Sequence, residues 1–497
     1  MAPPGSFDFV VVGGGSAGAV VAARLAEQTH VTVCLLEAGP SDEGDERILD
    51  LRRWASLTGT DLAPTFAVHA TAGNNRDLLH SRAVVLGGCG SHNQCIALAP
   101  PDEDLQRWEE SGAAGWGPDG TRAALARVLD RVHVEPAPHE NACAAAFVDA
   151  ALALGLPLST FSSRKLEDGV GWLPLNAHGH RRQSASVAYL HPLSGLPDNL
   201  TVRVETAALR VLLDEGGAAI GVETATGPVF ASREVILCAG AFETPKLLLL
   251  SGIGPRTELA RHGIQVRHDL PGVGENLLDH PECTLVWAAS RAVPRGVAQD
   301  WEVACFARSD PAYATPDVMI HFGTMPFDGI DGVAGSVAEH AIWMTPNITS
   351  PGSVGRLSLR SAVPTDQPVL DFRYFTDAAG HDERVFLAGA RLARRLAATP
   401  PLSHWIAHEI VPGSDIADDA ALLAYLRRHA TTVHHPAGTC RMGAPGDTRA
   451  VCDPQLRVRG VGRLRIADAS IFPSMIGVNP NLTCMMIGER CAELVLR

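Results

Sequence analysis

Three glycines, Gly13, Gly15 and Gly18, follow a β-branched run that ends at Val12, and an acid, Glu37, comes about 20 residues after the last of them. Each residue type suits one part of a dinucleotide site. Gly13 permits a tight turn, Gly15 has no Cβ and lets the backbone approach a pyrophosphate, and Gly18 lets the next helix lie close to the strand. The helix N-terminus offers free N–H groups and partial positive charge to phosphate oxygens, and Glu37 can accept from a ribose hydroxyl. An ordinary glycine turn in a buried α/β unit is the competing reading, disfavoured by the strand, helix and acid together. Far downstream, His435 and Asn479 are of the types that manage a hydroxyl. An imidazole can take its proton, and a carboxamide can hydrogen-bond the alkoxide left behind. Among 20 histidines, type alone does not single out His435.

The fingerprint needs strand, turn, helix and strand, and the pattern supplies them: an apolar strand from 9 to 12, an Ala-rich helix through Ala26, and a second strand from 31 to 36. A second glycine-rich loop, Gly87-Gly88-Cys89-Gly90-Ser91-His92-Asn93-Gln94-Cys95, is too polar and compact to be a linker. Residues 58–80 read as irregular. Alternation then predicts a meander of four strands at 200–204, 208–213, 219–224 and 229–237, and Thr244-Pro245 predicts the start of a helix running to Leu250. That return to strand, glycine and helix implies interleaved domains. Between 282 and 431 Pro, Trp and His increase, with strands expected at 318–322 and 355–359 and helices at 382–397 and 420–429. The tail reverts to the opening style, a strand at 464–467 and a helix at 484–496.

A chain of 497 residues exceeds one simple core. A net charge of −14 without a Lys/Arg cluster argues against nucleic acid and anionic membranes as partners. No apolar run approaches the roughly 18 residues of a membrane span. Eleven cysteines without a CxxC pair suggest reduced thiols and a cytoplasmic setting, and no basic n-region marks a signal peptide. No metal site is expected.

Four ordered blocks identify a family: the Gly13–Gly18 fingerprint with Glu37, Gly240-Ala241-Phe242-Glu243-Thr244-Pro245, His435-Pro436-Ala437-Gly438-Thr439, and Asp468-Ala469-Ser470 before Asn479-Pro480-Asn481. Over nearly the whole chain the sequence resembles the glucose–methanol–choline (GMC) oxidoreductases. Within them Gly87–Ala97, Asp279-His280-Pro281-Glu282 and Met485–Cys491 resemble the choline-oxidase branch. The resemblance implies an α/β fold: a doubly wound, Rossmann-like FAD-binding domain (1–150, 192–281 and 432–497) interleaved with an α+β substrate-binding domain (151–191 and 282–431). The latter is built on a six-stranded-type antiparallel sheet over the substrate cavity. It further implies FAD contacts at Gly13, Gly15, Ser16, Ala17, Gly18, Glu37, Ala38, Gly87, Gly88, His92, Asn93, Cys95, Ile96, Ala97, Asp468, Ala469, Asn479 and Pro480, with His92 bonded covalently to the flavin.

By the same resemblance, His435 and Asn479 act on the substrate hydroxyl, and Glu282 pairs with a substrate cation inside a cage with Trp54, Trp301 and Phe327. His280, His321, Gln94 and His434 complete the substrate cavity. The chain departs from the pattern where His434 stands for an aromatic, Gln94 for a serine, and no aromatic occurs between Thr60 and Pro64. These changes favour a more polar cationic alcohol, such as an amino alcohol or aminosugar, over choline. Val433 matches a residue that guides O2, which favours an oxidase. The expected activity is FAD-dependent oxidation of such an alcohol to the aldehyde, with O2 as reoxidant and H2O2 as product; the resemblance also admits a homodimer. The rivals are a dehydrogenase with another electron acceptor, a hydroxynitrile-lyase-like enzyme that keeps FAD without redox chemistry, and a non-catalytic flavin-binding protein.

Overall fold

The computed structural model describes residues 6–68, 77–193, 197–328 and 337–497; of the stretch 58–80 expected to be irregular, residues 69–76 lie outside them, and the rest includes the strand Thr65–Val68 and the start of the strand Leu78–Ser81. The fingerprint forms β1 (Phe7–Val12), α1 (Gly18–Ala26) and β2 (Val33–Leu36), all but Arg24 of α1 being buried. They belong to a seven-stranded sheet with β3 (Leu200–Arg203), β4 (Ala208–Leu213), β5 (Ala219–Thr224), β6 (Gly227–Leu237) and β7 (Leu464–Ile466). The order is β3-β2-β1-β6-β5-β4, and β7 pairs with β6.

The expected four-strand meander has only three strands. β3 lies at the opposite edge, parallel to β2 with Thr201 opposite Cys34, because its alternation suits either edge of the sheet and only the pairing decides between them. β6 serves both halves of the sheet: Gly227 to Phe230 pair antiparallel with β5, while Glu234 to Leu237 run parallel to β1.

Helix α2 (Gly240–Leu250) starts ahead of the expected Thr244-Pro245 and contains Pro245. A proline in a helix leaves one carbonyl without its N–H partner. Here the carbonyl of Ala241 instead accepts from the Thr439 hydroxyl at 2.7 Å. The Asp468 carboxylate receives Gly240 N–H at 2.9 Å and the Thr244 hydroxyl at 2.6 Å, satisfying donors at the helix start.

The second large sheet has eight strands. Six run antiparallel in the order 406–411, 285–289, 338–348, 318–327, 303–307 and 169–172, and the short strands Pro281–Glu282 and Thr431–Thr432 attach at one end. A five-stranded sheet joins Leu78–Ser81 and Thr65–Val68 to later segments. Helix α3 (Asn481–Leu496) packs on α1. A Cβ on Gly488 would lie 2.6 Å from the Ala17 carbonyl oxygen, and the Ser16 hydroxyl donates to Asn481 Oδ1 at 2.8 Å. Buried Glu489 of α3 accepts from Arg24, Arg127 and Tyr189. No described helix is long and apolar enough to cross a membrane.

Candidate active site

The two glycine loops meet. Gly87 N–H donates to the Gly14 carbonyl at 2.8 Å, and a Cβ on Gly88 would stand 2.6 Å from Gly15 Cα, so only bare backbone fits. At Gly18 a Cβ would sit 1.9 Å from the Gly13 oxygen, which is why α1 can start so close to β1. Glu37 is buried and accepts from Gly14 N–H at 2.8 Å and Gly39 N–H at 2.9 Å; burial pushes its carboxyl up to about 7. Ala38 lies between these contacts. The result is an open backbone cradle, with Asn481 Nδ2 buried and unpartnered beside it. These features fit the FAD that the sequence implied.

A cavity of about 310 Å³ runs from this cradle to the antiparallel sheet. Of the expected cofactor residues, Ser16, His92, Asn93, Ile96, Ala469, Asn479 and Pro480 line it. Cys95 and Ala97 lie behind it, and Asp468 has its oxygens taken by protein donors. Fully buried Arg182, which carried no sequence signal, holds the second loop by donating to the carbonyls of Gly90 and Asn93 at 3.2 and 2.5 Å. Burial, with Arg82 and Arg182 nearby, keeps the His92 imidazole well below its usual range and therefore neutral.

His435 has a fixed tautomer. His280 Nε2 lies 2.9 Å from the Ile476 carbonyl and 3.1 Å from that of Thr349, which can only accept, so this nitrogen carries a hydrogen. With burial holding His280 neutral, down to about 4, its Nδ1 is a bare acceptor for the His435 Nδ1–H at 2.9 Å. His435 Nε2 is consequently unprotonated, and Asn479 Nδ2 donates toward it at 3.3 Å. Burial, aided by three neighbouring histidines and Arg82, holds His435 well below the usual range. Asn479 Oδ1 is buried without a partner.

The sheet supplies the opposite wall. His321 stands opposite Thr345, and Glu282 opposite Asn347 two residues further along the same strand, so all four side chains share one face. Burial pushes the Glu282 carboxyl up to about 8, with Asp279 adding repulsion and the Thr345 hydroxyl opposing. His321 Nδ1 accepts from Asn347 Nδ2 at 3.4 Å, and its Nε2 is unpartnered, as is Trp54 Nε1. Trp54, Trp301, Gln94 and His434 line the cavity. His434 Nδ1 accepts from Ser81 N–H at 3.3 Å, which leaves the other nitrogen as its N–H donor.

Two expected lining residues stand back. His280 supports His435 from behind, and Phe327 packs on Trp343 with ring centroids 5.4 Å apart while Trp343 backs Trp301 at 6.3 Å. The cavity also includes Thr58, Arg82 and Thr345, which sequence reasoning did not single out. Arg82 donates to the His434 carbonyl at 2.8 Å, and one arginine at the end of a short strand gives no sequence signal of that role.

Two family models cover most of the chain, both described as GMC oxidoreductase, matching residues 7–282 and 351–488. The choline oxidase of Arthrobacter globiformis is 40% identical over 98% of this chain and 94% of its own length. The mitochondrial choline dehydrogenase of Homo sapiens is 35% identical over 98% and 89%. Among solved structures, pyridoxine 4-oxidase from Mesorbium loti superposes with a TM-score of 0.91 at 28% identity, covering 98% of this chain and 99% of that one. The chain therefore belongs to the GMC oxidoreductase family, whose members bind FAD.

Proposed function

We propose that the protein oxidises a primary alcohol carrying a cationic amino or quaternary ammonium group to the aldehyde. The observation that carries this reading is one cavity with an unprotonated His435 Nε2 beside Asn479 at one wall and the buried acid Glu282 among indole rings at the other. The substrate hydroxyl sits between His435 and Asn479. His435 Nε2 takes its proton, and Asn479 Nδ2 donates to the oxygen as charge develops on it. Glu282 ionises against the ammonium group, and Trp301 and Trp54, lining the same cavity, supply its aromatic contacts.

Bound in the cradle of Gly13–Gly18, Glu37, Ala38, Gly87, Gly88 and Asn93, FAD supplies the acceptor for the hydride leaving the alcohol carbon, with O2 as reoxidant and H2O2 as product. His92 is assigned to covalent attachment of the flavin, supported by its neutral imidazole on the cavity wall within Ser91-His92-Asn93. The reading divides the chain into an FAD-binding unit (1–150, 192–281 and 432–497) and a substrate-binding unit (151–191 and 282–431). In support, the seven-stranded sheet is built from the first set and most of the eight-stranded sheet from the second. The buried thiols Cys34, Cys238 and Cys491 are free, which agrees with a reducing, cytoplasmic setting.

Anaerobic mixing tests the function. Flavin absorbance bleaches with choline, amino alcohols or aminosugars and far less with neutral alcohols of the same size; bleaching by none of the cationic alcohols refutes the reading. The choline dehydrogenase relative supports a second reading, with an acceptor other than O2. Peroxide formed in step with turnover separates the two.

A further inference from the structure

Asp279 is buried and does not line the cavity, yet both of its oxygens hold the turn that carries His435. Oδ1 accepts from the His435 backbone N–H at 2.9 Å. Oδ2 accepts from the hydroxyls of Thr432 and Tyr374, each at 2.5 Å, and the Thr432 oxygen accepts in turn from His434 N–H at 2.8 Å. Within this clamp His434 has φ of +64°, a left-handed conformation that a non-glycine residue keeps only when its surroundings impose it.

The rest of the Asp279-His280-Pro281-Glu282 segment works on the same turn. Val433 N–H donates to the His280 carbonyl at 3.0 Å, Pro281 pairs with Thr432, and the His280 ring orients that of His435. Four consecutive residues thus hold the backbone of the base, hold its ring, pair with its strand and present Glu282 to the cavity. The titratable groups around Asp279 are Tyr374, His280, Glu282, His435, and His80, whose Nε2 lies 3.9 Å from Oδ2; His434 and Arg82 stand beyond the turn.

We propose that Asp279 is a positioning residue for the reaction: it pins the 432–435 turn so that His435 presents a bare Nε2, and its charge acts on the base on one side and Glu282 on the other. This rests on the functional reading above. A buried negative charge beside His435 favours the imidazolium that forms as the hydroxyl proton arrives. The same charge disfavours ionisation of Glu282 until a cation is present, consistent with its carboxyl standing at about 8. Burial raises Asp279 itself to about 6, and the Thr432 and Tyr374 hydrogen bonds oppose that rise.

The test uses the FAD-loaded enzyme. Asp279→Asn keeps the shape and the acceptor for His435 N–H; it removes the charge and reverses the two hydroxyl contacts, the amide nitrogen donating to the Thr432 and Tyr374 oxygens that donate to the carboxylate in the wild type. Anaerobic flavin reduction at saturating cationic alcohol is expected to fall about tenfold or more, and the acid limb of its pH profile to move down by about one unit. At pH 7 KM should also fall, because Glu282 ionises more readily without its neighbour. A merely structural role would lower kcat, raise KM and leave both limbs in place. Tyr374→Phe keeps Asp279 but removes a donor that lowers its pKa, leaving the carboxyl less ionised, so the acid limb moves down as well, by less than in Asp279→Asn; this arm decides if Asp279→Asn does not fold. Histidine 15N NMR of Asp279→Asn should show the His435 tautomer preserved and its titration displaced downward. Unchanged limbs, KM and His435 titration in folded, yellow Asp279→Asn overturn the proposal, as does an unmoved limb in Tyr374→Phe. If no cationic alcohol reduces the wild-type flavin, the functional reading fails and the NMR titration still decides the role of Asp279.

Discussion

The cradle at the start of α1 grips with backbone, whereas the chamber under the antiparallel sheet works with side chains. In the cradle the decisive atoms are absent ones: a Cβ at Gly18 or Gly88 would collide with the main chain. In the chamber the histidines have their states set by partners distant in sequence. His280 fixes the His435 tautomer across 155 positions, and Ser81 that of His434 across 353. A dinucleotide's phosphates can be met by a local motif, but a reacting hydroxyl and a cation must be approached from several sides at once.

If the two regions are separable in this way, damage to each should look different. Gly18→Ala places a methyl 1.9 Å from the Gly13 oxygen, so we expect no folded, FAD-loaded protein, read as loss of flavin absorbance after gel filtration. His435→Ala should leave flavin content intact while anaerobic reduction slows about 1,000-fold; loss of the flavin as well would break the comparison. Glu282→Gln should raise KM for cationic alcohols about 100-fold and leave neutral alcohols unchanged.

A gentler probe is pH. Glu282 stands raised to about 8, and the ionised form binds the cation, so KM should fall about tenfold per unit as pH rises toward 8 and then level off. A flat profile would mean that the acid is already ionised, or not in contact with the substrate. The smallest effect concerns the link between the regions. His92→Ala should release FAD into the supernatant on acid precipitation, whereas the unaltered protein keeps its colour, with only a modest change in rate.

The cradle was legible because Gly13, Gly15, Gly18 and Glu37 meet through one strand, one turn and one helix. The chamber was legible only as residues carried by family blocks, and the text of the blocks does not say which side of a wall a residue occupies. Phe327 and Trp301 look alike as cage candidates, yet Trp343 from another strand stands between Phe327 and Trp301. The fold misreadings have the same origin. Pro245 marks a helix start in isolation, but a hydroxyl from Thr439 supplies the missing donor to the Ala241 carbonyl, 198 positions away, and lets the helix begin earlier. The strand at 200–203 alternates like those after it, and only its pairing with β2 sets it at the other edge. The Arg182 and Arg82 staples are single residues whose partners are backbone carbonyls, which leave no trace in a sequence.

The packing of α3 on α1 also has a timetable. Ser16, in the fingerprint turn, is bonded to Asn481 across 465 positions. At typical synthesis rates of about 5–20 residues per second, the fingerprint leaves the ribosome roughly half a minute or more before the helix that completes its site. The motif most easily read for cofactor binding is therefore among the last to become competent. Nascent chains stalled before residue 481 should not retain FAD, and truncation within α3 should be felt first as loss of colour.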